Sequence, residues 1–220
     1  AGQIVASNHL CIAGIAQAAG AEVRQLGIAR DTREDLARHI AQVVDMAADM
    51  ANGADGADVL VTIGGASVGE HDLVAPVLAE RGLALAFWKI NMRPGKPLMF
   101  GRLGALRVLG LPGNPASATV GARLFLLPLI WALLGRPVEG CVRPIAARLA
   151  VPLEANGARQ HYMRAASTPG DDGVLEVVTF PDQHSSLLTP LAQADCLLIR
   201  PPHAPALAAG SLVPVLPLDV

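Results

Sequence analysis

Aromatic side chains are scarce in this sequence, and so is charge of either sign. Phe, Trp and Tyr make up 3% of the 220 residues, and Asp, Glu, Lys and Arg make up 16%, with a formal net charge of -2. Nucleic-acid binding needs a basic surface and, for single strands, aromatic rings that stack on bases, so no nucleic-acid partner is expected. Hydrophobic residues, at 52%, exclude disorder and predict an aliphatic core.

Residue pairs that form disulfides or zinc sites are also missing. The cysteines, Cys11, Cys141 and Cys196, are odd in number and widely spaced, which favours reduced thiols in a cytoplasmic protein. The six histidines include no HxxxH pair, so zinc has no support. The longest apolar run, residues 124–134, contains Pro128 and is too short for a bilayer, which predicts a buried helix and no membrane.

Helical and strand-like patterns alternate through the first part of the chain. Helices are predicted over residues 8–20, 32–47, 72–81 and 115–135, with a Gly- and Asp-rich break over 52–58. Strands are predicted over residues 21–28, 58–63, 84–90 and 106–111. This alternation predicts a three-layer αβα domain with a mainly parallel sheet over residues 1–141.

Residues 142–220 have a different texture, with short β-like runs separated by Pro, Gly and Asp turns. The runs cover residues 145–153, 160–165, 175–179, 196–199 and 212–216, and no helical period is evident among them. This pattern predicts a small all-β domain.

A glycine-rich loop between a strand and a helix is the first candidate site. It reads Thr62-Ile-Gly-Gly-Ala-Ser-Val-Gly-Glu-His-Asp72. Glycines let backbone N–H groups approach a ligand, and a helix N-terminus favours an anion. Asp72 suits either a helix cap or a metal-facing carboxylate. A tight turn followed by an ordinary cap explains the pattern equally well.

Both lysines of the chain lie in one loop, beside an arginine. The segment Lys89-Ile-Asn-Met-Arg93-Pro-Gly-Lys96-Pro places three cations within eight residues, braced by two prolines and a glycine. Such a cluster suits an oxyanion or phosphate. The alternative is a solvated run of charge, which the stiffening prolines disfavour.

A third loop, Gly110-Leu-Pro112-Gly113-Asn114-Pro115-Ala-Ser117, again joins a strand to a helix. Its prolines restrict the backbone and leave the amides of Gly113 and Asn114 free to donate. A rigid connection is the alternative, but three such loops in one sheet favour convergence on one crevice.

Weaker candidates lie outside these loops. Asp31 follows the predicted strand 21–28 and suits either a site carboxylate or a helix N-terminal acid. Arg159 and Arg164 alternate with apolar neighbours, which predicts the solvent side of a strand. Tyr162 and Ser185 complete this set.

Taken in order, these segments resemble the molybdopterin molybdenumtransferase family, which includes the gephyrin E-domain. The resemblance is carried by residues 2–8, 26–31, 64–72, 92–97 and 110–117. In the tail, Arg159 to Arg164 resembles the family's Arg-x-x-aromatic-x-Arg, and Gln183 to Ser185 resembles Gln-Gly-Ser, with His184 where glycine is usual.

The resemblance implies a molybdopterin-binding α/β domain followed by a β-barrel-like C-terminal domain. It also implies insertion of molybdate into adenylylated molybdopterin, with release of AMP and with Mg²⁺ assisting. Family members usually form homodimers, and a molybdopterin adenylyltransferase is an expected partner. Two N-terminal domains precede the opening motif in the family, so this chain, which begins Ala-Gly-Gln, is expected to be a C-terminal fragment.

The resemblance assigns roles to individual residues of this chain. Asp31 and Asp72 are expected to hold the metal or polarise the adenylyl phosphate, and Lys89, Arg93 and Lys96 to contact molybdate or phosphate. The remaining expected contacts to the pterin nucleotide are Thr62, Gly64, Gly65, Ser67, Gly69, Pro112, Gly113, Asn114, Pro115, Ser117 and Ser185.

Two alternatives remain at this point. A molybdopterin adenylyltransferase shares the α/β domain but usually has Gly-Gly-Thr-Gly in the glycine loop, whereas this chain has Ala66-Ser-Val-Gly69 and an added β-rich tail. A gephyrin-like module that binds partner peptides without turnover is compatible with the composition.

Overall fold

A computed structural model describes residues 7–50, 56–65 and 73–218. Its first part contains four strands in the order β1-β5-β4-β2. They are β1 (Val59–Ile63), β2 (Ala84–Trp88), β4 (Met99–Leu103) and β5 (Leu106–Leu111). A two-residue strand, β3 (Met92–Arg93), lies outside this sheet.

Helices cover both faces of the sheet. Helix α1 (Asn8–Ala18) and the continuous helix formed by α4 (Pro115–Gly121), a π-helical turn (Ala122–Leu126) and α5 (Leu127–Leu133) pack on one face. Helices α2 (Arg33–Met50) and α3 (Val74–Glu80) pack on the other. The predicted three-layer αβα arrangement is confirmed.

Alternation along β5 explains why its sequence is apolar throughout. Leu106 and Val108 belong to the core beneath α2 and α3, while Leu109 and Leu111 belong to the core beneath α1 and α4. A strand buried on both faces has no solvent side that would take a polar residue.

The direction of the strands differs from the prediction. Only β1 and β5 are parallel among the described strands of this sheet, whereas β4 is antiparallel to both β5 and β2. The physical reason is a two-residue connection: Gly104, with φ of +61°, and Ala105 join β4 to β5 as a hairpin. The sequence pattern did not predict β4, and it therefore did not predict the hairpin.

A second correction concerns the predicted strand over residues 21–28. This segment has no regular secondary structure, although Ala21, Val23 and Leu26 pack against the two cores. Its apolar spacing therefore reports burial of side chains and not pairing of the backbone. The predicted break over 52–58 lies partly outside the described residues.

The C-terminal part forms a closed sheet, in agreement with the expected barrel-like domain. Strands pair in the order β7-β8-β6-β10-β9, and β7 also pairs with β9. The strands are β6 (Ile145–Leu149), β7 (Gln160–Pro169), β8 (Leu175–Thr179), β9 (Cys196–Arg200) and β10 (Leu212–Pro217). A short helix, α6 (Thr189–Gln193), corrects the expectation of no helix here; at five residues it is too short to show a period.

The two parts are joined by backbone pairing and by an apolar cluster. Strand β3 runs parallel to the start of β7, with Met92 opposite Gln160. Met92 and Val120 pack with Leu197 and Leu216 of the barrel. The predicted boundary at residue 141 is not tested by these contacts and stays a prediction.

The long apolar helix Pro115–Leu133 contains the run singled out in the sequence. It is 19 residues long, with a mean hydropathy of 1.6, so its length and composition alone would suit a membrane. Within the protein, more than half of this helix is buried, against the sheet and α1. The expectation of a buried core helix is confirmed.

Candidate functional site

A cavity of about 460 Å³ lies where the α/β part meets the barrel. It is lined by the loop after β3 (residues 93–97), by the start of α4 with the loop before it (112–114 and Ser117), and by Arg159 and residues 183–185 of the barrel. The second and third loops singled out in the sequence therefore converge.

The described lining of the cavity is positively charged. Arg93, Lys96 and Arg159 line it, and no Asp or Glu is among the described lining residues. None of these three side chains has an ion pair or hydrogen bond within the described part of the chain. Three unpaired cations in one concave site favour an anionic ligand.

Backbone donors accompany these cations. Gly95 has φ of +100°, and the N–H groups of Lys96, Gly113 and Asn114 have no hydrogen-bond partner among residues 7–50, 56–65 and 73–218. Amides at such a turn bind anions without adding a side chain that needs ordering.

The described part of the glycine-rich loop, residues 62–65, adjoins this cavity and is not among its lining residues. Gly64, with φ of +84°, donates its N–H to Leu111 O at 2.9 Å, and a β-carbon at Gly113 would lie 3.6 Å from Gly64 Cα. Gly65 follows with φ of +67°. The carboxyl ends of β1 and β5 thus place the first and third loops together.

Some predicted residues cannot be placed beside these loops. Ser67, Gly69 and Asp72 lie outside the described residues. Thr62 is described, and its hydroxyl is buried without a hydrogen-bond partner in the part of the chain that the structure covers.

Two predicted residues lie away from the cavity. Lys89 is exposed, with its Nζ 5.3 Å from the centroid of the Trp88 ring. Asp31 is exposed just before α2. Neither lines the cavity, so the structure does not bring them together with Arg93 and Lys96.

A loop of the barrel is docked on the start of α4. Ser185 O accepts a hydrogen bond from the N–H of Ala116 at 3.0 Å, and Asn114 Nδ2 donates to Ser185 Oγ at 3.0 Å. Asn8 Nδ2 donates to Gly113 O at 2.6 Å. Pro115 occupies the first turn, where a missing N–H costs nothing. The predicted residues Asn114 and Ser185 are therefore direct partners.

Arg164 holds this barrel loop in place. Its backbone N–H and its Nε donate to Gln183 Oε1, at 2.9 and 3.3 Å, and its guanidinium also donates to the carbonyls of Asp182, His184 and Leu187. The side chain is 1% exposed, which corrects the prediction that it lines the solvent side. Burial lowers its pKa, and the Asp182 carboxylate opposes that shift.

Arg159 lies at the site, although the residue pattern did not predict this position. The alternation placed it on the solvent side, and it is indeed exposed, but it lines the cavity. Gln183 and His184 line it as well. The sequence feature that indicates this part of the site is the pair of arginines five residues apart, Arg159 and Arg164, followed downstream by Gln183.

His161 is a buried base beside these arginines. It is 7% exposed, its Nε2 has no partner among the described residues, and burial, followed by Arg93, Arg159 and Arg164, lowers its pKa to about 4. The imidazole is therefore neutral at pH 7.

Acid is expected to destabilise the protein through this residue. Between about pH 6.5 and pH 4 the unfolded chain binds a proton that the folded chain excludes, so stability falls as pH falls, by about 2 kcal/mol at pH 5. Urea denaturation at several pH values, compared between wild type and His161→Gln, measures it. A wild-type loss that persists unchanged in His161→Gln would refute this assignment.

The described residues contain no cluster of metal-ligating side chains. Among them, no group of three or more His, Cys, Asp or Glu is placed so that it could hold a metal ion. Asp31 is among the described residues and Asp72 is not, so a metal site formed by these two carboxylates stays a prediction.

Comparison with known proteins agrees with this architecture. A family model described as "Probable molybdopterin binding domain" matches residues 1–132, and one described as "MoeA C-terminal region (domain IV)" matches residues 146–218. These two matches follow the change from the αβα layers to the closed β-sheet.

Several similar proteins are named molybdopterin molybdenumtransferase. A molybdopterin molybdenumtransferase of Haemophilus influenzae is 28% identical over 99% of this chain and 51% of its own length, and one of a Nostoc species is 34% identical over 100% and 49%. The crystal structure of a molybdopterin biosynthesis MoeA protein from Pyrococcus horikosii superposes with a TM-score of 0.76, at 27% identity, over 99% of this chain and 49% of that one.

The chain spans about half the length of the curated relatives it matches. It matches their C-terminal part. The chain belongs to the molybdopterin molybdenumtransferase family, of which it contains the molybdopterin-binding domain followed by the C-terminal domain.

Proposed function

We propose that this chain supplies the substrate-binding cavity of an enzyme that inserts molybdate into adenylylated molybdopterin and releases AMP. One observation carries the proposal: Arg93, Lys96 and Arg159 line a cavity whose described lining includes no Asp or Glu, and they have no counter-ion in the part of the chain that the structure describes. Membership of the family agrees with it.

The substrates explain why such a cavity is useful. Molybdate and the phosphates of an adenylylated pterin are all anions, so their approach is opposed by charge repulsion. Fixed cations and amide donors offset that repulsion without reorganising during the reaction. Arg93 and Lys96 come from the α/β part and Arg159 from the barrel, so the junction itself assembles the charge.

The Asn114–Ser185 pair and the amides of the third loop have an orienting role in this proposal. The carbonyl of Ser185 holds the N–H of Ala116, which leaves the amides of Gly113 and Asn114 for the ligand. These donors and Lys96 belong to two different loops that line the cavity, and we propose that together they hold the anionic groups of the substrates.

Magnesium, a homodimer, an adenylyltransferase partner and a cytoplasmic location remain proposals from the resemblance. Mg²⁺ prefers carboxylate oxygens and substrate phosphates, which suits Asp31 and Asp72 by chemistry. It would neutralise phosphate charge, and no further step is derived from it. Sedimentation of the chain, alone and with the partner enzyme, tests the assemblies.

Calorimetric titration with molybdate and with AMP, separately and together, tests the proposal. We expect saturable binding of each, and we expect the double variant Arg93→Ala/Lys96→Ala to weaken both by about tenfold or more, because each lost contact is a charge-assisted hydrogen bond. Arg143→Ala is the matched control, since it removes an exposed cation that does not line the cavity.

Three results would contradict the proposal. Folded wild type that binds neither molybdate nor AMP favours the peptide-binding module. Unchanged affinity in the double variant places the ligand outside this cavity. ATP that binds well in place of AMP favours the adenylyltransferase alternative.

A further inference from the structure

His184 lines the cavity at a position where the family resemblance leads one to expect glycine. Its backbone is held on both sides: its N–H donates to Asp182 Oδ1 at 2.8 Å, and its carbonyl accepts from Arg164 at 3.1 Å. A side chain on a backbone segment held in this way is well positioned for a ligand.

The ring is held as well. Its Nδ1 lies 2.8 Å from Ser186 Oγ, and Nε2 has no hydrogen-bond partner within the described residues. A serine hydroxyl both donates and accepts, so Ser186 pairs with Nδ1 whether the imidazole is neutral or protonated. Nε2 carries a hydrogen, and is a donor, when the hydroxyl donates to Nδ1 of the neutral ring and also whenever the ring is protonated.

We propose that Nε2 of His184 donates to the anion bound in this cavity, and that protonation of His184 adds a fourth positive charge to the three cations there. The inference rests on the proposed function, because it needs an anion in this cavity. Its consequence is an affinity for oxyanions that is higher in mild acid than at neutral pH.

Other charged groups lie around the His184 ring, and they are the same in wild type and in the variants of His184. Arg93, Lys96 and Arg159 are retained in every variant. Asp182 and Arg164 contact the backbone of His184 and are retained in every variant. The buried His161 is also retained, so any effect of its protonation persists when His184 is replaced.

Sulfate is the suitable probe, since it is a tetrahedral dianion whose charge is constant over this range. Calorimetry at about pH 5.5 and about pH 8 is expected to show roughly tenfold tighter binding by wild type at the lower pH, the effect of one charge-assisted hydrogen bond. Replacement by the glycine usual in the family, His184→Gly, is expected to reduce this ratio below about twofold.

Three further measurements complete the design. His184→Gln keeps a side-chain N–H donor but does not take up a proton, so its affinity for sulfate is expected to be the same at both pH values. His9→Gln, on α1, removes a histidine outside the cavity and is expected to keep the wild-type ratio. Circular dichroism checks folding at both pH values.

The outcomes separate the two proposals. Wild type that binds sulfate at neither pH overturns both the anion site and the role of His184. Wild type that binds sulfate with the same pH ratio as His184→Gly overturns the role of His184 alone.

Discussion

Replacement of Arg164 by methionine is expected to lower the free energy of unfolding by about 3 kcal/mol. The guanidinium is buried and donates to Gln183 Oε1 and to three carbonyls of the loop that carries Ser185. Methionine fills part of the volume but leaves these acceptors without donors, which is costly where water is excluded. Urea denaturation followed by circular dichroism measures the loss.

The same change is expected to weaken anion binding in the proposed cavity, because the loop no longer presses Ser185 against Asn114. Arg164→Lys is the control: it keeps the charge but not the planar fork of donors, so an intermediate loss of stability is expected. A loss below about 1 kcal/mol in Arg164→Met would show that the loop does not depend on this arginine.

A second large effect is expected from Gly101→Ala in β4. A β-carbon there would lie 2.8 Å from Ala84 O and 3.2 Å from Leu85 Cα, and both belong to the backbone of β2. Because backbone atoms cannot rotate away, the edge strand must shift, and we expect a loss of about 2–3 kcal/mol. Thermal and urea denaturation provide the measurement.

Gly14→Ala is the matched control for this experiment. Gly14 is exposed within α1, and a β-carbon there meets no atom within 4 Å. Alanine costs less backbone entropy in a helix, so this variant is expected to gain about 0.5–1 kcal/mol. Equal losses in both variants would mean that the packing of β2 on Gly101 is not the cause.

The correct and the wrong predictions differ in the range over which their causes act. The helix after Pro115 and the strand over residues 106–111 are confirmed, since caps, prolines and continuous apolar runs act within a few residues. Residues 21–28 show the limit: burial and pairing have the same apolar spacing, and pairing needs a partner strand that the segment does not have.

The candidate site shows the same division. Arg93, Lys96, Pro112, Gly113, Asn114, Ser117 and Ser185 were all selected from motifs, and the fold brings them to one cavity. The pairing of β3 with β7 brings Arg159, which precedes β7, to the same cavity as Arg93, whereas Lys89 does not line that cavity. This pairing joins distant segments and is not predicted by the local sequence. The roles of these residues stay predictions.

By itself, the sequence determined the family, the two kinds of domain and the loops rich in glycine, proline and cations. These follow from local chemistry: few aromatics, continuous aliphatic strands and turns that few residues tolerate. The tertiary structure alone decided that Arg164 is buried, that Ser185 docks on α4, and that three cations share one cavity without counter-ions among the described residues. Each of these depends on segments that are distant in the sequence, whose approach is governed by packing and not by local pattern.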